Sequence, residues 1–149
     1  GKWMNGQEKI TLNLNAVDLA KVDYLAEQGF YSSRSDFIRT AIRNQLREHE
    51  AIISDEALTN LVQGQKQAGN GKSLSGIGII SLTRRELEAY AAAGSKLKLF
   101  IVGTLFIGKD VTVDLLAQVL ESAKVYGVLR GPKEAVDFIR ELKAVPGGK

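Results

Sequence analysis

Ile10, Leu12 and Leu14 alternate with Lys9, Thr11, Asn13 and Asn15. That period of two is the pattern of a strand with one dry face and one wet face. Two amphipathic helices follow it, and little else precedes a glycine-rich stretch at residues 68–76. A piece of about 45 residues buries too little surface to stand alone, and needs metal, disulfides or a partner. Cysteine is absent, which removes disulfides, thiolate metal sites and a cysteine nucleophile. The single histidine, His49, rules out a histidine-rich metal sensor. A partner is what remains. Two copies pairing their strands as an antiparallel ribbon would bury Ile10, Leu12 and Leu14 against Leu19, Val22, Leu25, Phe37, Ile38 and Ile42. The opposite face would carry Lys9, Thr11 and Asn13 from each chain. A ribbon of that width enters the DNA major groove, where short polar side chains reach base edges.

The flanking helices carry their own punctuation. Asn15 caps the first, with Asp18 three residues on, and Leu19, Val22, Leu25 and Ala26 form its apolar stripe. Gly29 ends it, with Phe30 as the apolar residue after the stop. Ser33-Arg34-Ser35-Asp36 reads as a capping box that uses Asp for the usual Glu, and opens a helix to about His49. Phe37, Ile38, Ala41, Ile42 and Leu46 give that helix an apolar face, while Arg39, Arg43 and Arg47 form a charged row. Tyr24, Phe30 and Phe37 read as core residues. A further helical piece is expected over about 54–67.

Residues 68–76 (Ala-Gly-Asn-Gly-Lys-Ser-Leu-Ser-Gly) read as a linker and domain boundary. The expected organisation is a DNA-binding domain at 8–50, a helical segment with the linker at 51–76, and an α/β domain at 77–145. In the second half, 77–82 reads as a short strand. A capping box at Thr83 to Glu86 opens a helix that Gly94 closes. Two strand-like runs, 97–102 and 104–107, meet at Gly103, and a helix is expected over 112–123 with Val113, Leu116, Ala117 and Leu120 buried. Residues 125–129 read as a strand, and Pro132 starts a last helix carrying Ala135, Val136, Phe138, Ile139 and Leu142. Ile101-Val102-Gly103-Thr104-Leu105 aligns with Val125-Tyr126-Gly127-Val128-Leu129, 125 − 101 = 24 residues later. That spacing suits a strand-plus-helix solenoid. The order β-α-β-β-α-β also fits a ferredoxin-like layer. The fold class is thus α+β, an N-terminal β-α-α unit followed by a small α/β domain.

Lys9 to Leu14, with Gly29-Phe30-Tyr31-Ser32-Ser33-Arg34-Ser35-Asp36-Phe37-Ile38-Arg39, resembles the ribbon-helix-helix superfamily of bacterial and archaeal DNA-binding proteins, the MetJ/Arc/CopG group. The likeness covers residues 8–50, and implies an intertwined homodimer on double-stranded DNA. It assigns base reading to Lys9, Thr11 and Asn13, and a phosphate clasp to Ser33, Arg34 and Ser35 at the second helix start, where free N–H groups gather. Asn13 departs from the threonine common at its place. The row Arg39, Arg43 and Arg47 reads as a solvated face or a phosphate-side supplement, with Arg39 and Arg43 as the candidate supplementary phosphate contacts. The nickel-responsive members' metal domain has no counterpart, because the second half lacks histidine and cysteine.

Charge does not carry the assignment. Residues 1–50 hold seven lysines and arginines and seven aspartates and glutamates, so 7 − 7 = 0. Placement must do what total charge does not. Gly71-Lys72-Ser73 is not the end of a phosphate-binding loop, since Lys66 stands where the motif requires glycine. No nucleophile, base and orienting group can be assembled, so no enzymatic role, metal or cofactor is expected. The expectation is a cytoplasmic, nucleoid-associated transcriptional repressor that touches no membrane, with an unknown effector or protein partner. Its second half would add self-association to a higher oligomer through strand edges. The alternatives are an antitoxin or plasmid-partition protein, or an assembly module that binds no DNA.

Overall fold

The computed structural model describes residues 7–67 and 72–142. The chain divides between Ser54 and Asp55 into two compact units. The first unit holds α1 (Ala16–Glu27), α2 (Arg34–Arg47) and the short α3 (Glu50–Ile53). The Asn15 side chain accepts the amides of Val17 and Asp18 to open α1. Gly29, at φ 89°, closes it, with the Phe30 amide bonding back to the Leu25 carbonyl at 3.0 Å. Among the described residues, 7–15 join no strand ladder. The strand expected there is therefore not formed within one chain, because a strand exists through its pairing, and the expected partner is the same segment of a second chain.

The second unit begins with α4 (Asp55–Gln67) and continues β1 (Lys72–Leu82), α5 (Arg84–Ala92), β2 (Leu97–Ile107), α6 (Val113–Val119), β3 (Leu120–Arg130) and α7 (Lys133–Glu141). The strands form one parallel sheet in the order β1-β2-β3. Each crossover carries one helix, as parallel neighbours require. Along β2, Leu97, Leu99, Ile101, Leu105 and Ile107 are buried. They pack in one cluster with Leu87 of α5, Leu116 and Val119 of α6, and Ala135 and Ile139 of α7. Neighbouring helices touch, α5 against α6 and α6 against α7, so the core lies between the sheet and one helical layer. No helix among the described residues is long and apolar enough to cross a membrane.

Several expectations are corrected here. Residues 72–76, assigned to a linker, are the start of β1, whose backbone pairs with β2 from Lys72↔Leu97 onward. Residues 68–71 of that linker and 143–145 of the expected second domain lie outside the described residues. The two runs flanking Gly103 are one strand, which removes the ferredoxin-like order. Helix α6 stops at Val119 rather than 123, because the start of β2 needs a partner: Leu97 pairs with Leu120 and Lys98 with Ser122, with Glu121 as the extra residue between them. Ala117, expected to be buried, is exposed, and Val113 is only half-buried.

The repeat becomes a register. Ile101 pairs with Val125 and Gly103 with Gly127, and one strand earlier Gly78 pairs with Gly103. All three glycines have positive φ, 111°, 136° and 124°. A Cβ on Gly103 would fall on the Gly78 carbonyl, and one on Gly127 on the Gly103 carbonyl, whereas Gly78 faces open space. Gly103→Ala is thus expected to cost about 3 kcal/mol or more, combining backbone strain with a main-chain collision. Gly78→Ala, with strain alone, should cost about 1–2 kcal/mol. Urea unfolding of the two variants side by side checks the order; equal losses would remove the stacking argument.

Candidate nucleic-acid interface

Lys9, Thr11 and Asn13 are exposed, as their wet-face assignment requires. Their apolar neighbours are exposed as well, Ile10 by 75%, Leu12 by 57% and Leu14 by 41%. Tyr24 and Phe30, expected in the core, also lie open to solvent, while Phe37 is half-buried edge-on to Tyr31 at 4.9 Å. Among the described residues of this unit Val22 alone is buried. Half a core is present.

The turn into α2 is tightly fixed. Ser33 is extended and its hydroxyl accepts the Asp36 amide at 3.1 Å. Asp36 returns a bond at 2.9 Å, accepting the Ser32 amide rather than that of Ser33. The expected box is therefore offset by one residue at its acidic end, where the shorter Asp stands for Glu. Helical geometry leaves the amides of Arg34 and Ser35, the first two of α2, without intrahelical acceptors.

Sequence reasoning missed the partner of Arg34. Its guanidinium donates two bonds to Asp23 of α1, Nε to Oδ1 at 2.7 Å and Nη2 to Oδ2 at 2.9 Å. The fork ties the two helices together, so at the proposed clasp Arg34 offers its backbone while its side chain is engaged. Opposite charges either side of a glycine-closed turn were the available signal. The hydrogen bond from Arg34, reinforced by its charge, holds the Asp23 carboxyl below its ordinary pKa.

Lys9, Ser35 and Arg39 come together. With Glu8, Ile10, Ile38 and Ile42 they line an open groove of about 490 Å³. Its apolar wall is the α2 face expected to receive a second chain. Arg43 donates to the Thr40 hydroxyl at 3.3 Å, and Arg47 to the Asn44 side chain at 2.9 Å, both within their own helix.

Because the Asp23 pKa is lowered by folding, its contribution to stability is present above the ordinary carboxylate range and is lost as pH falls through the folded value. Asp23→Asn should therefore lower stability slightly at neutral pH, the pair being exposed, and the two proteins should converge as pH falls through and below the ordinary carboxylate range. Thermal unfolding of both proteins from neutral pH down to below that range checks this. Ser33→Ala should cost about 1 kcal/mol at all pH values through loss of the cap.

A family model described as the ribbon-helix-helix transcriptional regulator family matches residues 5–136. The match runs beyond the 8–50 segment that carries the resemblance in sequence, and takes in the parallel sheet. Neither the curated proteins nor the solved structures yield a match.

Proposed function

The chain belongs to the ribbon-helix-helix transcriptional regulator family, and from that premise we propose that it is a sequence-specific DNA-binding repressor acting as a homodimer. The observation that carries the proposal lies before α1, where, outside any strand ladder among the described residues, Ile10, Leu12 and Leu14 stand exposed in alternation with Lys9, Thr11 and Asn13. Paired with its copy, that segment becomes a two-stranded ribbon. The apolar set then closes over Ile38 and Ile42, and the polar set faces outward, six side chains wide enough to read a major groove.

Attachment follows from the start of α2. The amides of Arg34 and Ser35, beside the Ser33 hydroxyl, present donors and the positive end of the helix dipole to a phosphate oxygen. A dimer supplies two such clasps, one on each side of the ribbon. Arg39, which shares the groove with Lys9 and Ser35, adds a charge along the same backbone; Arg43 continues the row one helical turn on. This division of labour, backbone amides for position and ribbon side chains for sequence, lets a segment with no net charge hold DNA.

Selection of bound duplexes from a random pool tests the proposal. The intact chain should enrich a palindromic or repeated motif, and the Lys9/Thr11/Asn13 triple-alanine variant should lose at least ~100-fold in affinity for it, at about 1–3 kcal/mol per lost base contact. Arg39→Ala should instead weaken all sequences alike and lower the salt dependence. Failure of the wild-type chain to enrich any motif while it stays dimeric would leave the N-terminal unit an assembly module and overturn the reading.

A further inference from the structure

The bulge between β2 and β3 decides which side chains meet on the face of the sheet opposite α5, α6 and α7. Glu121 is the extra residue there, so Lys98 stands beside Ser122 and Phe100 beside Lys124. An unbroken register would have set Lys98 beside Glu121 and turned Lys124 toward the core side, where Leu99 and Ile101 are buried. On β1, Ser73 takes the place beside Lys98, and Ser75 the place beside Phe100. Helix α4 packs against β1 and β2. Its Gln65 shares a cavity of about 260 Å³ with Ser73, Lys98, Phe100, Ser122 and Lys124.

The chemistry of that lining is one-sided. Its charged groups are two ammoniums, and its polar side chains are otherwise two hydroxyls and an amide. Glu121 approaches Lys98 at 3.8 Å, longer than a hydrogen bond. The Lys124 ammonium lies 4.9 Å from the Tyr126 ring centre, a contact that uses no oxygen acceptor. Both ammoniums therefore keep N–H donors for an acceptor in the cavity. Ser73 shares a 2.9 Å hydroxyl–hydroxyl bond with Ser75, which is only 7% exposed. With Ser75 donating, the Ser73 proton is left for the cavity. Like charges held on neighbouring strands repel, and an anion between them turns that repulsion into attraction.

We propose that this cavity binds a small organic anion, its oxygens between Lys98 and Lys124 and its body against Phe100. The volume lies below the roughly 300–1,000 Å³ of drug-sized pockets, which selects a compact molecule, a phosphate monoester or a carboxylic acid. All six residues belong to the second unit, so the site stands or falls apart from the DNA reading.

Amide spectra of the isotope-labelled intact chain test this, titrated with inorganic phosphate and separately with succinate, against sodium chloride at equal ionic strength. Saturable shifts should centre on Ser73, Lys98, Ser122 and Lys124, and the tighter probe names the anionic group. Lys98→Gln and Lys124→Gln should each raise the dissociation constant at least tenfold. Glu121→Gln should lower it, since that carboxylate competes for Lys98, an effect that a purely structural role would not produce. Shifts no larger than those of chloride, or undiminished in both lysine variants, overturn the proposal. Shifts confined to Arg34 and Ser35 overturn it too, and place the anion at the start of α2. Lysine variants that lose DNA affinity, in a chain whose wild type answers neither probe, make the two lysines DNA contacts and likewise overturn the small-ligand site.

Discussion

A hydrophobic half-core that the described residues of the first unit leave open is the constraint from which that unit's chemistry descends. Val22 is buried, while Ile10, Leu12, Leu14, Phe30, Ile42 and Leu46 are not. Solvent exposure of that many large apolar side chains on so short a segment opposes folding, since burial is the main favourable term and ordering the backbone opposes it. What the segment does possess is strong local definition: an Asn15 cap, a glycine-closed turn, the Ser33 cap and the Asp23–Arg34 fork. Local bonds fix the shape of the surface, and in the dimer proposed above the missing burial comes from the second chain. A reader of DNA gains from that arrangement, because the same pairing that completes the core brings two sets of outward side chains into one ribbon.

The second unit solves the burial problem by repetition. Each strand-and-helix step repeats after about 24 residues, and stacking three of them in register surrounds Ile101 and Leu105 with neighbours on both sides. The mid-strand glycines of β2 and β3 sit where the preceding strand's carbonyl comes closest, and all three mid-strand glycines share a positive φ, so the repeat in sequence is a repeat of one backbone conformation. Such a stack has ends and faces that its own chain does not cover. The family model spans this unit as well as the first, which makes the sheet part of the family's architecture rather than an unrelated appendage.

Local chemistry was what the sequence displayed most plainly. The caps at Asn15, Ser33 and Thr83 and the helix stops at Gly29 and Gly94 depend on one side chain or one backbone angle each, and could be read from neighbours in sequence. The offset between Ile101 and Val125 was visible too, and turned out to be the pairing register. Non-local demands were hidden. Residues 120–123 have an ordinary helical composition, yet pairing with β2 draws them into a strand; residues 72–76 look like a linker, yet small side chains pair as readily as large ones when a neighbour strand is present. At the candidate site the residue types and the helix start were legible. The engagement of Arg34 with Asp23 was not, because it joins two helices across eleven residues, and opposite charges either side of a turn do not single out which two will meet.

That ion pair changes how the first unit can hold an anion. With the Arg34 guanidinium occupied and residues 1–50 neutral in sum, the net charge of this segment draws in no phosphate backbone at long range. In the reading proposed above, attraction comes at contact distance, from oriented amides at the start of α2 and the basic side chains near them. Contact-range donors depend on position far more than charges do, so their geometry has to be rigid before the ligand arrives. The Asp23–Arg34 fork supplies that rigidity by fixing the start of α2 against α1, and the Asp36 bond to the Ser32 amide fixes the turn from the other side. An arginine left loose at this position would add charge and lose definition. In a dimeric arrangement the two helix starts must also match the spacing of phosphates across one groove, which makes stiffness within each chain and a reproducible pairing between chains parts of a single requirement.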